Sequence, residues 1–161
     1  MKNTLKPHKP LKRIGSNVQA KMSLIINAPQ EKLISIYRDY NNWHKLFPAT
    51  IKGAHLIKEE NKMQTVEVEH KQAGKVINIL KFLSANEIEL EEFKPLYNAI
   101  FLNRFEAITG GTVYIIEAYI FLKGIYKLAT PFIKGLVRKR INNYVLKPMK
   151  EFAENRSAHL I

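Results

Sequence analysis

The stretch that decides the fold runs from residue 26 to residue 48 and reads INAPQEKLISIYRDYNNWHKLFP. It begins like the end of a strand, after which Asn27 can cap a helix and Pro29 can open one. Apolar residues then recur at helical spacing until two asparagines break the pattern. A short turn follows that carries Trp43, the only tryptophan of the chain. The stretch therefore predicts a strand, a helix and a second, very short helix.

Strands are predicted on both sides of this stretch. Before it, every second residue from Val18 to Ile26 is apolar, which is typical of a half-buried strand. After it, alternating segments follow one another with short turns, and Thr109-Gly110-Gly111 gives the clearest hairpin signal. These predicted strands cover residues 51–58, 63–70, 75–83, 87–93, 97–108 and 112–122. Consecutive strands with short turns predict an antiparallel meander.

The last segment is predicted to be a long helix. Thr130 can cap it, and Pro131 suits its first turn. An apolar stripe with i, i+3 and i+4 spacing follows, made of Ile133, Leu136, Val137, Ile141, Tyr144, Val145 and Phe152. Pro148 lies within this pattern and is expected to kink or divide the helix. The predicted element order is thus β-α-α-β×6-α, an α+β fold.

The register of the strands follows from the rule that a buried face carries no unpaired charge. The rule places one alternate set of side chains inside and collects most lysines, arginines and glutamates outside. The run Glu87–Glu92 is accordingly interpreted as a solvated strand face. The neutral polar residues placed inside are His55, His70, Asn78, Tyr97, Asn103 and Tyr114. They either satisfy one another or line a cavity that holds water or a ligand.

Charge and composition limit the class of protein. The net charge is +12, and the basic residues are concentrated at both ends of the 161-residue chain. This asymmetry is consistent with an anionic partner, either a phospholipid surface or nucleic acid, or with a merely soluble surface. There is no cysteine, and no apolar run is long enough to span a bilayer, so we expect a cytoplasmic protein. Residues 1–16 are expected to form a basic, flexible tail, and residues 17–161 a single domain.

Common catalytic motifs are missing from the sequence. The glycines form no phosphate-binding loop, the five histidines lack the spacing of a metal site, and no serine lies in a nucleophile-elbow pattern. We therefore assign no catalytic residue, cofactor or metal ligand. His55, His70 or Tyr97 could still act as an acid or base if it lines a cavity.

Several short motifs resemble those of the START-like, or SRPBCC, superfamily. They are Ile26-Asn27-Ala28-Pro29 with Asp39-Tyr40, Trp43 and Phe47-Pro48 in its opening, Gly110–Tyr114 in its last hairpin, and Leu146–Glu154 at the end of its long helix. The resemblance covers nearly the whole chain. It is nearest to the polyketide-cyclase/dehydrase-like branch and to the coenzyme-Q-binding or ribosome-associated-toxin-like branches.

The resemblance implies a helix-grip fold, in which a curved antiparallel sheet wraps around the long C-terminal helix. The space between them would bind a hydrophobic small molecule such as a lipid, an isoprenoid or quinone, or a polyketide-like compound. The candidate cavity residues are Trp43, Phe47, His55, Val66, Val68, Asn78, Leu80, Phe82, Tyr97, Phe101, Asn103, Phe105, Tyr114, Ile116, Ile133 and Val137. Trp43 is interpreted either as a plug that closes one end of the groove or as core filler.

Other roles stay open beside ligand binding. A polyketide cyclase or dehydratase would use the same cavity, although the lack of a catalytic motif favours a binding protein. The basic side chains Lys134, Arg138, Lys139 and Arg140 could meet an anionic membrane surface or another polyanion, which would make the protein peripheral to a membrane. Contact with RNA or a ribosome is disfavoured because few exposed aromatic residues are predicted among the basic ones. The oligomeric state is not predicted.

Overall fold

The sheet forms the larger part of the molecule. The computed structural model describes residue 9 and residues 11–155, so most of the predicted tail, residues 1–16, lies outside the described residues. The strands of this part are β1 (Val18–Ile26), β2 (Ile51–Glu60), β3 (Met63–His70), β4 (Gly74–Ser84), β5 (Glu87–Phe93), β6 (Tyr97–Ile108) and β7 (Gly111–Leu122). They lie in the order β1-β7-β6-β5-β4-β3-β2, with every neighbouring pair antiparallel. The predicted meander is confirmed.

The helices connect β1 to β2 and follow β7. Helix α1 (Gln30–Arg38), a 3-10 turn (Tyr40–Asn42) and the short helix α2 (Trp43–Leu46) make up the first connection. After β7, a 3-10 segment (Gly124–Ala129) leads into α3 (Thr130–Ile141), a π-helical turn (Asn142–Leu146) and α4 (Lys147–Asn155). The element order is the predicted one, and the C-terminal helix packs on the inner face of the sheet.

The interruption predicted at Pro148 takes the form of the π-helical turn. Proline has no N–H to donate to the carbonyl one turn earlier, and its ring crowds that turn. Widening the helix to a π-turn over Asn142–Leu146 accommodates this, so the helix continues into α4. Leu146 and Met149 are fully buried on either side of the proline.

The inner face of the sheet follows the predicted alternation in most strands. β7 shows it throughout, because Thr112, Tyr114, Ile116, Ala118, Ile120 and Leu122 are all buried. Where β1 meets the β6–β7 hairpin, Gly111 approaches so closely that a Cβ atom there would collide with the carbonyl oxygen of Ile26. The pair Gly110-Gly111 therefore provides both the turn and the close approach of the strands.

Strand β2 departs from the prediction because it contains a β-bulge. Ile51 pairs with His70, but Gly53 already pairs with Glu69, so one residue of β2 has no partner. The alternation is inverted from that point, and Ala54 rather than Gly53 packs against the core. His55 pairs with Glu67 on the outer face, and its side chain is 62% exposed. The prediction that His55 faces inward and lines a cavity is therefore wrong.

Candidate functional site

A cavity lies between the inner face of the sheet and the C-terminal helix. Its volume is about 190 Å³, and it is partly open to solvent. Walls come from α1, α2, strands β2 to β7 and the end of α3 with the π-turn. Of the predicted cavity residues, those that line it are Trp43, Phe47, Asn78, Tyr97, Phe101, Asn103 and Ile116.

The remaining predicted cavity residues lie elsewhere. The side chains that are fully buried in the core without lining the cavity are Val66, Val68, Leu80, Phe105 and Tyr114. Ile133 and Val137 are partly buried and pack against this core from the helix. Phe82 is partly buried as well, with the guanidinium of Arg38 4.2 Å from its ring centroid. These residues belong to the packed core around the cavity and do not form its wall, because close packing leaves no space beside them.

Trp43 combines the two roles that the sequence left as alternatives. It is only 2% exposed and lines the cavity. Its indole Nε1 donates a hydrogen bond of 2.8 Å to the backbone oxygen of Tyr37. The rings of Tyr37, Tyr40 and Phe47 pack edge-on against it at centroid distances of 5.2 to 6.0 Å. Trp43 is therefore a core residue that also forms part of the cavity wall.

The cavity wall contains charged side chains that were not among the predicted cavity residues. Glu92 Oε1 lies 3.4 Å from His70 Nε2, and Glu92 Oε2 lies 3.1 Å from Lys94 Nζ. Lys94 Nζ also donates a hydrogen bond of 3.2 Å to the Tyr97 hydroxyl oxygen. All four side chains line the cavity, and they are hereafter called the Glu92 cluster.

The expectation that Glu87–Glu92 is a solvated strand face is wrong. Glu89, Glu91 and Glu92 are each at least 90% buried. On the outer face, Lys81 forms ion pairs with Glu89 and Glu91, and Arg13 covers Glu89. Glu92 follows the buried Ile88 and Leu90 in the β5 alternation, and this signal could have placed it inside. The local sequence shows Lys94 but not His70, which lies on β3 and meets Glu92 only in the folded sheet.

The protonation of the Glu92 cluster follows from burial and the neighbouring charges. Burial alone would raise the pKa of Glu92, but His70 and Lys94 outweigh this effect and hold the pKa below its usual range. Burial likewise opposes the charged form of Lys94, and the Glu92 carboxylate reverses this and raises the Lys94 pKa. Burial also raises the pKa of Tyr97. At neutral pH the cavity therefore holds a carboxylate, an ammonium group and a neutral phenol.

The two buried asparagines of the cavity differ in their hydrogen bonds. Asn103 Oδ1 accepts a hydrogen bond of 2.7 Å from the Tyr114 hydroxyl, and its Nδ2 donates to the backbone oxygens of Ile88 and Phe101. Asn78 is 3% exposed, yet its Oδ1 accepts no hydrogen bond from the described part of the chain. Because buried polar atoms are normally paired, Asn78 Oδ1 marks a point in the cavity wall where the described residues supply no hydrogen-bond donor.

The helix contributes a basic residue to the cavity. Arg140, predicted to belong to an anionic-surface contact, lines the cavity together with Ile141, Tyr144 and Val145. Arg140 forms no ion pair with a described residue, while Lys134, Arg138 and Lys139 are exposed and lie outside the cavity. The inner side of the helix is thus apolar at Ile141 and cationic at Arg140, where it borders the cavity.

The described residues contain neither a candidate metal site nor a helix that could cross a membrane. Among residues 9 and 11–155, no group of three or more histidine, aspartate or glutamate side chains could hold a metal ion. Within the same part of the chain, no helix has both the length and the apolar character needed to cross a membrane.

Comparison with known proteins identifies the fold. No family model matches the sequence, and no curated protein matches it either. Among solved structures, the Zhui aromatase/cyclase from Streptomyces sp. R1128 matches with a TM-score of 0.70 at 13% identity, over 87% of this chain and 95% of that one. A START superfamily protein from Mycobacterium smegmatis matches with a TM-score of 0.70 at 16% identity, over 86% and 98% of the two chains.

A third match comes from a protein named for lipid transfer. The STAR-related lipid transfer protein from Xanthomonas axonopodis has a TM-score of 0.63 at 11% identity, over 87% of this chain and 88% of that fragment. These matches confirm the START-like helix-grip fold. At such identities they show the fold alone.

Proposed function

We propose that this chain, which has the START-like helix-grip fold, binds a small hydrophobic molecule carrying a hydroxyl group in the cavity under its C-terminal helix. The observation that carries the proposal is the buried Asn78 Oδ1, which has no hydrogen-bond partner among residues 9 and 11–155, in the wall of an aromatic-lined cavity. A ligand hydroxyl would supply the missing donor, and the apolar body would lie against Trp43 and Phe101. The names of the matched START and lipid transfer proteins support the general class of ligand.

The size of the cavity narrows the class of ligand. Sites for drug-sized molecules enclose about 300–1,000 Å³, whereas about 150 Å³ is enough to hold benzene. The cavity of about 190 Å³ therefore fits a single ring or a short branched chain. A longer lipid, isoprenoid or polyketide would have to extend through the open side, where Arg140 and Tyr144 are exposed. Each methylene that it buries would stabilise the complex by roughly 0.8 kcal/mol.

The matched pair Asn78→Leu and Asn103→Leu tests the proposal. Asn78→Leu should leave the free energy of unfolding nearly unchanged, because no hydrogen bond to the described chain is lost from its oxygen. It should weaken binding of a phenol-type probe about tenfold relative to the corresponding plain arene, which is the effect of one lost hydrogen bond. Asn103→Leu should instead lower the free energy of unfolding by about 1–3 kcal/mol, because it leaves the buried Tyr114 hydroxyl unpaired.

Binding can be measured by displacement of a polarity-sensitive dye, and stability by urea denaturation. If Asn78→Leu changes the affinity for the phenol and the affinity for the arene by the same factor, Asn78 is not the residue that anchors the hydroxyl group. Native mass spectrometry of the protein purified from its host, followed by organic extraction, would identify a retained natural ligand. Failure of both probes to bind, with no retained molecule, would overturn the cavity-binding function itself.

An enzyme of the cyclase or dehydratase type is the second candidate, and the Glu92 cluster favours it. A carboxylate and an imidazole 3.4 Å apart can accept and return a proton. In a polyketone substrate, the base would remove a proton from the carbon between two carbonyl groups. The resulting enolate would attack a distant carbonyl carbon, and the new alkoxide would take up a proton to become a hydroxyl group. Removal of the second proton from the attacking carbon and protonation of that hydroxyl would then release water and form a carbon–carbon double bond. Lys94, beside Tyr97, could stabilise the developing oxyanion. The only support for this candidate from the matched aromatase/cyclase is the name of that protein.

Glu92→Gln separates the two candidates. For an enzyme, this variant should slow ring closure of a short synthetic β-polyketone by roughly 100-fold, because a general base is worth at least that factor. For a binding protein, wild type and variant should both leave the uncatalysed rate unchanged. Product formation can be followed by ultraviolet absorbance of the aromatic ring, with Glu67→Gln on the outer face as the control.

The cytoplasmic location and the single domain spanning residues 17–161 stay proposals that rest on the sequence.

A further inference from the structure

The start of the C-terminal helical region exposes an unusual amount of apolar side chain. Ile125, Leu128 and Phe132 are 77%, 84% and 82% exposed, and Leu136 is 49% exposed. Single exposed apolar residues need no explanation, but a contiguous set of them marks an interaction surface. These four residues are hereafter called the apolar stripe.

Helix geometry places the four residues in two pairs, each on one side of its own helix. The segment Gly124–Ala129 is a 3-10 helix with three residues per turn, so Ile125 and Leu128 lie one above the other. In α3, Phe132 and Leu136 are four residues apart and also share a face. Ile133, Val137 and Ile141 occupy the side that packs against the core. The apolar stripe therefore faces away from the sheet and cannot be part of its core.

The charges around the apolar stripe have one sign. From Ala118 to Lys150 the sequence contains no acidic residue. Lys127 and Lys139 are exposed and form no ion pair with any described residue. Lys139 follows Phe132 by seven residues and so extends the stripe at its far end. An anionic surface would attract these lysine side chains, whereas a neutral surface would not and a cationic surface would repel them.

We propose that the apolar stripe inserts into the interface of an anionic lipid bilayer, with the neighbouring lysines on the headgroups. An interfacial helix combines exposed aliphatic and aromatic residues on one face with lysine and arginine around them. Nucleic acid fits less well, because Ile125, Leu128 and Leu136 have no ring on which a base could stack. The sequence had placed a membrane contact on charges alone, at Lys134, Arg138, Lys139 and Arg140. The apolar stripe adds a part that enters the lipid.

The proposal does not depend on the ligand of the cavity, so either can fail without the other. The intact chain is sedimented with vesicles of phosphatidylcholine, with and without phosphatidylserine, at low salt. Wild type should sediment with the phosphatidylserine vesicles only. The double variant Leu128→Gln/Phe132→Gln should lose about tenfold or more in partitioning, because two interfacial anchors are removed. The control Leu83→Gln/Leu96→Gln, at two apolar sites of comparable chemistry that are 46% and 49% exposed, should bind like wild type.

A second pair of variants tests the charges. Lys127→Gln/Lys139→Gln should also weaken binding severalfold, whereas the control Lys45→Gln/Lys71→Gln, with the same net charge, should not. Thermal melting followed by circular dichroism verifies that each variant is folded.

Three results would overturn the proposal. Binding unaffected by the loss of Leu128 and Phe132 would show that no insertion occurs, and equal binding to neutral vesicles would show that the lysines do not matter. Concentration-dependent self-association of wild type that the stripe variant abolishes, without any vesicle binding, would assign the surface to a second copy of the chain.

Discussion

Trp43→Ala should lower the free energy of unfolding by about 3–5 kcal/mol, as expected when a large buried aromatic side chain is removed. The side chain is 2% exposed and packs against three aromatic rings. The variant also loses the hydrogen bond from the indole to the Tyr37 backbone oxygen. Urea denaturation followed by circular dichroism measures the change, since the variant has no tryptophan for fluorescence.

The result distinguishes the two sequence-based interpretations of Trp43. A plug that only closes the cavity could be removed at little cost, with an increase in dye uptake. The structure leads us to expect a large loss of stability together with a larger cavity, because the same ring serves both purposes. Phe132→Ala is the matched control: this aromatic residue is 82% exposed, so its removal should change stability by less than about 0.5 kcal/mol. A loss below 1 kcal/mol for Trp43→Ala would contradict its role in the core.

Lys94→Met should lower the free energy of unfolding by roughly 3 kcal/mol at neutral pH. Removing one partner of a buried ion pair leaves an uncompensated charge, which is costly in proteins. Here the remaining charge is Glu92, whose side chain is only 8% exposed and which keeps only His70 beside it. Methionine has a similar shape to the lysine stem, so most of the loss should come from the charge. Lys58→Met is the control, because its ion pair with Glu60 is more than half exposed and should be worth less than about 1 kcal/mol.

The pH dependence of this loss provides the sharper test. In the wild type the pKa of Glu92 is lower in the folded state than in the unfolded state. Its contribution to stability is therefore present above the unfolded pKa of about 4.3 and is lost as the pH falls through the folded pKa. Without Lys94 the folded pKa should rise, so the difference between variant and wild type should shrink below about pH 4. A difference that stays constant from neutral to acidic pH would indicate a packing defect instead.

Much of the architecture was predictable because strand and helix patterns depend on neighbouring residues. The alternation in β7 and the helical spacing after Thr130 are properties of short segments, so the sequence indicates both elements correctly. Pro148 likewise marked the place where the helix had to depart from α-helical geometry. The apolar inner face followed from the same alternation, and it identified five of the residues that line the cavity, namely Asn78, Tyr97, Phe101, Asn103 and Ile116.

The errors arose where a residue depends on a distant partner. The bulge in β2 exists only through its pairing with β3, and it turned His55 outward. The exposure of Leu136 could not be inferred from its helical spacing, because apolar residues of α3 lie both on the side that packs against the core and on a side that faces away from it.

The sequence by itself determined the strands, the helices, their order and the apolar character of the face between them. Only the tertiary structure decided that Glu92 is buried beside His70 and Lys94 while Asn78 Oδ1 has no hydrogen-bond partner among the described residues. The physical reason is that a charge or an amide can be buried only where a partner compensates for the lost water. His70 lies on β3 and Glu92 on β5, two strands apart in the sheet, so folding alone brings these groups together.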